Sequence, residues 1–165
     1  NHINRFVERY PDWHVEEITI ENLAECAEMD LEWNRLYRTE NGDAEAEAQT
    51  RLDERHAMSK AFAHYEALGL SGLLLRVEGR LVAFTMGSPI GENAFDIHFE
   101  KAYSEIQGAY PMINREFARW IREHYPHVHY LNREDDMGME GLRKAKESYY
   151  PDLMVKKCSA VRREG

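Results

Sequence analysis

The chain has 165 residues, the length of one ordinary domain, and its 43% hydrophobic and 11% aromatic content excludes wholesale disorder. A net charge of -9 argues against a general nucleic-acid coat, and two isolated cysteines, Cys26 and Cys158, exclude a disulfide scaffold and a zinc finger. No apolar run approaches the ~20 residues of a membrane span, no signal-peptide pattern opens the chain, and reduced thiols fit a cytoplasmic protein.

The charge is unevenly spread. Residues 133–165 hold eight basic and seven acidic side chains, against thirteen basic and twenty-three acidic in the first 132. A polyanion is therefore expected to meet the last fifth of the chain, unless that mixture is only a solvated surface.

In chain order, Leu23, Cys26, Met29, Trp33 and Leu36 recur at helical spacing within 20–37, and Asn41-Gly42-Asp43 breaks the pattern. A second helix is predicted over 44–68, with Met58, Ala61, Phe62, Tyr65 and Leu68 on its apolar stripe and Gly69 as its terminating glycine. The period then changes. Residues 72–77 and 80–88 read as strands joined at Glu78-Gly79, and 93–101 alternates, with Phe95, Ile97 and Phe99 expected on one side and Asp96, His98 and Glu100 on the other. A helix over 109–124, a strand over 127–132, a short helix over 139–148 and a strand over 153–161 complete the order. This is an α+β pattern: an antiparallel meander, then a crossover helix into a further strand, in a sheet of about six strands with helices on both faces. Such a sheet has no free face, so the polar row Asp96, His98, Glu100 must be buried or line a cleft.

Three stretches carry a resemblance: FDIHFEKA (95–102), GAYPMINREFA (108–118) and YLNREDDMGMEGLRKAKESYYP (130–151). They resemble the soluble bacterial family related to the C-terminal domain of phosphatidylglycerol lysyltransferase, and the opening NHINRFVERYPDW (1–13) is similar to the segment joining the two halves of such proteins. The resemblance covers nearly the whole chain. It implies a GNAT-like acyltransferase fold with a mainly antiparallel sheet, in which 1–165 is one domain, the second of a tandem pair, and 1–18 is the inter-domain segment. The start at Asn1, without Met, fits a piece of a longer protein. The N-terminal GNAT-like domain would then be a partner in the same protein. The activity implied is aminoacyl transfer from aminoacyl-tRNA to a hydroxyl or amine acceptor, such as a lipid headgroup at a membrane surface or a peptide-like amine. Ordinary GNAT enzymes hold coenzyme A with R/Q-x-x-G-x-G/A, whereas Ser104-Glu105-Ile106-Gln107-Gly108-Ala109 stands at that place. No register of it supplies both glycine positions and the lead residue, so no cofactor is expected. CoA-dependent N-acetylation and a non-catalytic binding module remain the alternatives.

The resemblance sets the 93–101 strand beside the acyl group, where His98 or Glu100 would serve as general base. Asn114 interrupts an apolar helical stripe one turn beyond Tyr110, so both are candidate substrate contacts or parts of a polar core network. Gly108 and Ala109 open that helix, where backbone N–H groups suit an anion. Asn132 ends a strand, and Glu134 and Asp135 follow it in an acidic cluster that would hold an α-ammonium group, act as base, or merely dress a helix N-terminus. Asp135 is the first choice for base and Glu134 the second. Arg143, Lys144 and Lys146, with Tyr149 after them, suit tRNA phosphates and base stacking, or else form an exposed solubilising face. Neither His98-x-Glu100 nor His127-x-His129 finds further ligands at metal-site spacing, so no metal is expected.

Overall fold

The computed structural model describes residues 1–41 and 45–133, and their side chains except at 37–41, 45–48, 50 and 51. The chain divides into two units, Asn1–Asn132 and Arg133–Gly165; all of the second beyond Arg133 lies outside the described residues. So do the predicted helix over 139–148, the strand over 153–161, and Glu134, Asp135, Arg143, Lys144, Lys146 and Tyr149.

Nine elements follow one another: α1 (His2–Arg9), β1 (His14–Glu17), α2 (Leu23–Asn41), α3 (Glu45–Ala63), β2 (Ser71–Val77), β3 (Arg80–Ile90), β4 (Ala94–Ala102), α4 (Ala109–His124) and β5 (Tyr130–Arg133). Sequence periodicity finds seven of them. It misses α1 and β1, which lie in the segment expected to be only a connector. The five strands form one sheet in the order β1-β2-β3-β4-β5, antiparallel from β1 to β4. The Asn93 carbonyl accepts from the backbone N–H groups of His129 (2.8 Å) and Tyr130 (3.1 Å). Three residues further along each strand, Asn132 meets Asp96 at 3.1 Å. Strand β5 therefore runs parallel to β4, as a strand following a crossover helix can.

Both faces of the sheet are covered. Helix α4 packs on β2, β3 and β4, burying Met112, Ile113, Phe117 and Ile121, and the Phe117 ring meets Phe95 edge-on at 5.7 Å. On the other face α2 packs on β3 and β4, and Phe62 of α3 lies 6.3 Å from Phe84. Covering on both sides explains the unbroken burial of Leu73, Leu74 and Leu75. Helix α3 ends at Ala63, short of the predicted 68, and a turn over 64–69 follows it; Gly69, with φ 65°, lets the Leu70 N–H reach back to the Tyr65 carbonyl at 3.1 Å and closes that turn. Helix α1 is short, but its Phe6 is fully buried against Gly108, the left-handed residue that starts α4.

The expected alternation of β4 is not what forms. Between β3 and β4 the register passes from Met86–Phe99 to Gly87–Ile97, leaving His98 opposite no β3 residue. This bulge turns the strand between its two halves. Phe95 faces α4, whereas Lys101, six residues on, faces α2 and α3. Phe99 pairs with Met86 and so leaves the face of Phe95 and Ile97. The polar row is divided by the same step: Glu100 turns toward α4, while Asp96 and His98 stay together on the opposite side.

Candidate functional site

The side chains of the leading half of β4 meet β3 and β5 in one polar cluster. The Ser88 Oγ lies 2.8 Å from His98 Nε2. On the far side of the ring, His98 Nδ1 lies 3.5 Å from Asp96 Oδ2. Asn132 Nδ2 donates to the other carboxylate oxygen, Asp96 Oδ1, at 3.1 Å. Register explains why the four converge. Ser88 stands directly across the ladder from Asp96, the bulge brings His98 alongside both, and parallel β5 delivers Asn132 from the opposite edge. The Asp96 side chain is 12% exposed, whereas the His98 side chain is 28% exposed, so the carboxylate is held inside while the imidazole reaches the surface. With the proton on Nδ1, the ring turns its N–H toward Asp96 at ion-pair distance and accepts from the Ser88 hydroxyl, so one tautomer suits both neighbours.

A second polar pair lies across the sheet. Asn114 Nδ2 donates to Glu100 Oε1 at 3.1 Å, tying α4 to the trailing half of β4. Thr85 is Glu100's partner across the ladder; its hydroxyl is buried and has no hydrogen-bond partner among the described residues. Asn114 is thus satisfied by a strand carboxylate, and the expected polar tie between helix and sheet is present. Tyr110 is half-buried at the rim of the same helix. The opening of α4 is occupied. The Ala109 N–H donates to the Ile106 carbonyl at 3.0 Å, and α1 packs over Gly108, whose added Cβ would lie 2.9 Å from that of Phe6. Ala109 is itself fully buried.

His98, Glu100, Tyr110, Asn114, Asn132, Gly108 and Ala109 all lie in the described part, but they form three groups rather than one. Only His98 and Asn132 share the cluster around Asp96. Sequence reasoning misses Ser88, because it lies at the end of a hydrophobic strand and nothing marks the shifted register. The one signal is Gly87 beside it: a Cβ there would collide with the Asp96 backbone and the Phe95 ring, the close approach that glycine permits at a bulge. Cys26 is fully buried, and burial pushes its thiol up to about 12, so it remains a protonated core residue. Among the described residues no three His, Cys, Asp or Glu side chains converge to hold a metal ion. No described helix is long and apolar enough to cross a membrane.

The family model for the C-terminal region of phosphatidylglycerol lysyltransferase matches residues 1–161. The chain belongs to that family. A conserved protein of unknown function from Bacteroides thetaiotaomicron is 45% identical over 93% of this chain, with a TM-score of 0.81. This family member spans only 49% of that protein's length. A ribosomal-protein-alanine N-acetyltransferase from Brucella melitensis is 16% identical, with 93% of this chain and 99% of that one covered and a TM-score of 0.57. An aminoglycoside acetyltransferase from an uncultured soil metagenomic sample, in complex with sisomicin, is 10% identical over 96% and 99% of the two chains, at a TM-score of 0.60. These likenesses show the fold: an α+β sheet of the GNAT acetyltransferase type, as the sequence resemblance implied. No curated protein matches the chain.

Proposed function

We propose that the chain is part of an acyltransferase that moves an aminoacyl group from aminoacyl-tRNA to a hydroxyl or amine acceptor. The observation supporting acyl chemistry is the cluster at the bulge of β4, where His98 is held between Ser88 and Asp96 on a GNAT-type sheet. Family membership supports the aminoacyl donor, as does the absence of an intact R/Q-x-x-G-x-G/A pattern at 104–109. In this reading the acceptor loses its proton to a general base, attacks the ester carbonyl, and the tRNA hydroxyl leaves with a proton. His98, Glu100, Glu134 and Asp135 are the bases proposed, and backbone N–H groups of 97–100 meet the oxyanion. Tyr110, Asn114 and Asn132 contact the acceptor or the aminoacyl group, while Arg143, Lys144, Lys146 and Tyr149 receive the tRNA end. An N-terminal GNAT-like domain completes the protein, a reading favoured by the chain's 49% span of the Bacteroides protein.

Charged-tRNA binding tests this directly. Labelled aminoacyl-tRNA should be retained by the chain, with an affinity that falls as salt rises. Lys144→Ala with Lys146→Ala should weaken binding and flatten the salt dependence by roughly one unit of slope per lost phosphate contact. No binding by any charged tRNA, together with thermal stabilisation by acetyl-CoA, would favour CoA-dependent N-acetylation instead. That second reading is supported by the fold shared with the acetyltransferases above.

A further inference from the structure

The cluster at the bulge has an order that general-base catalysis alone does not require. A base acting on a bound acceptor needs only the imidazole and a group to orient it. Here the outward nitrogen of His98 is already directed at a hydroxyl of the chain itself, Ser88, at 2.8 Å. The inward nitrogen faces a buried carboxylate at 3.5 Å, and that carboxylate is fixed through its other oxygen by Asn132 at 3.1 Å. Nucleophile, base and orienting acid thus stand in sequence, and a fourth residue fixes the acid. The three parts are those that activate a serine: proximity of hydroxyl to imidazole, a tautomer set by the carboxylate, and charge stabilisation of the imidazolium once the proton has moved. Ser88 is also placed to receive a substrate. It is the first residue of β3 to emerge from the fully buried run Leu81–Gly87, and Pro89 beyond it is exposed.

We propose that Ser88, His98 and Asp96 form a nucleophilic relay, and that Ser88 is transiently acylated by an activated carboxylic ester or thioester. The Ser88 Oγ attacks the acyl carbonyl carbon as its proton passes to His98 Nε2. The tetrahedral adduct then expels the alcohol or thiol, which leaves with that proton, and an acyl ester remains on Ser88. An acceptor amine, hydroxyl or water, deprotonated by the same nitrogen, attacks this ester; His98 returns the proton to Ser88 as the acyl group departs. Asp96 and Asn132 are positioning residues in both halves. The proposal rests on the acyl-transfer reading and adds to it a covalent halfway stage, so that donor and acceptor react in turn rather than together.

The test uses the full chain and p-nitrophenyl acetate. A burst of p-nitrophenolate matching the amount of protein, with the acetyl group mapped to Ser88 by mass spectrometry of the digest, is the expected result. His98→Gln should slow that acylation by about 100-fold or more, and Ser88→Ala should abolish the label, with circular dichroism confirming that each variant folds. Ser88→Cys, which keeps a nucleophile, should remain acylated. Acetyl groups spread over lysines or other serines, unchanged by Ser88→Ala, would overturn the relay. Aminoacyl transfer at the full rate by Ser88→Ala would overturn it too, while sparing the acyltransferase reading. Ser88 acylation in a chain that transfers nothing to any acceptor would uphold the relay and remove the transferase.

Discussion

The two halves of β4 treat buried charge in opposite ways. In the trailing half, Lys101 is sealed. Its ammonium lies 2.8 Å from Glu54 and 3.9 Å from the centre of the Trp33 ring, and the residue is only 5% exposed. Trp33 is fixed in turn by donating its indole N–H to the Ala102 carbonyl at 3.1 Å. In the leading half, Asp96 is equally buried, but its partner His98 leads outward to Ser88. Within one strand, structural and chemical polarity differ in where the charge's partner leads. A charge enclosed by its partners holds helices to a sheet. A charge whose partner connects it with the surface can pass protons to something arriving from outside.

The largest effect is expected at Lys101. Lys101→Ala leaves Glu54 as an uncompensated carboxylate against α2 and β4, and should cost about 3–5 kcal/mol in urea unfolding. Lys101→Met combined with Glu54→Leu removes both charges and should recover most of that loss. Acyl-transfer turnover per folded molecule should stay at the wild-type level in the double variant. A turnover collapse there, with stability recovered, would mean that the trailing half takes part in the chemistry.

Asn132→Ala acts on the leading half. It removes the donor to Asp96 Oδ1 and so loosens the carboxylate that orients His98. Turnover should fall about tenfold, a fraction of the roughly 10²–10⁴ that a positioned acid–base group contributes. The melting temperature should move little, because the side chain lies at the sheet edge and Asp96 keeps its contact with the imidazole. A large fall in melting temperature with turnover unchanged would make Asn132 a strand tie like Trp33.

How much of this is legible in the sequence depends on how far apart the interacting residues lie. The central hairpins and α4 are written in local periodicity and turn chemistry and form where expected, whereas α3 stops at Ala63 and leaves Gly69 to close the turn behind it. The polar row is legible as an anomaly: carboxylates and an imidazole in a strand that helices cover. What they do is not, because FDIHFEK alternates without interruption while the bulge is created by the partner strand at Gly87. One skipped residue moves Glu100 to the far face and gives His98 to Ser88, ten positions away. Likewise β1 escapes notice since HVEE offers a single apolar residue, and it exists because β2 presents an edge to pair with. Helix α1 spans only eight residues, too short to hold by itself, and it buries Phe6 against the start of α4, so tertiary packing sustains it.

The smallest effect concerns Asp30, a buried carboxylate of α2 that feels the charge of Lys101. Burial holds its carboxyl above the ordinary aspartate range, with Lys101 opposing the shift. The Asn34 amide donates to its Oδ1 at 3.1 Å and to its backbone carbonyl at 2.7 Å. A raised folded-state value means that the folded chain binds the proton more tightly than the unfolded one. The associated stability is complete below the unfolded aspartate value and is lost as pH climbs through the raised one. Asp30→Asn keeps an acceptor for Asn34 but abolishes the titration. Its stability should therefore vary less with pH across the acid range, and at neutral pH it should equal or slightly exceed that of the wild type. A neutral-pH loss instead would mean that attraction to Lys101 outweighs burial. Asp30 would then join Glu54 as a working partner of the sealed lysine, and the trailing half of β4 would be held by two carboxylates rather than one.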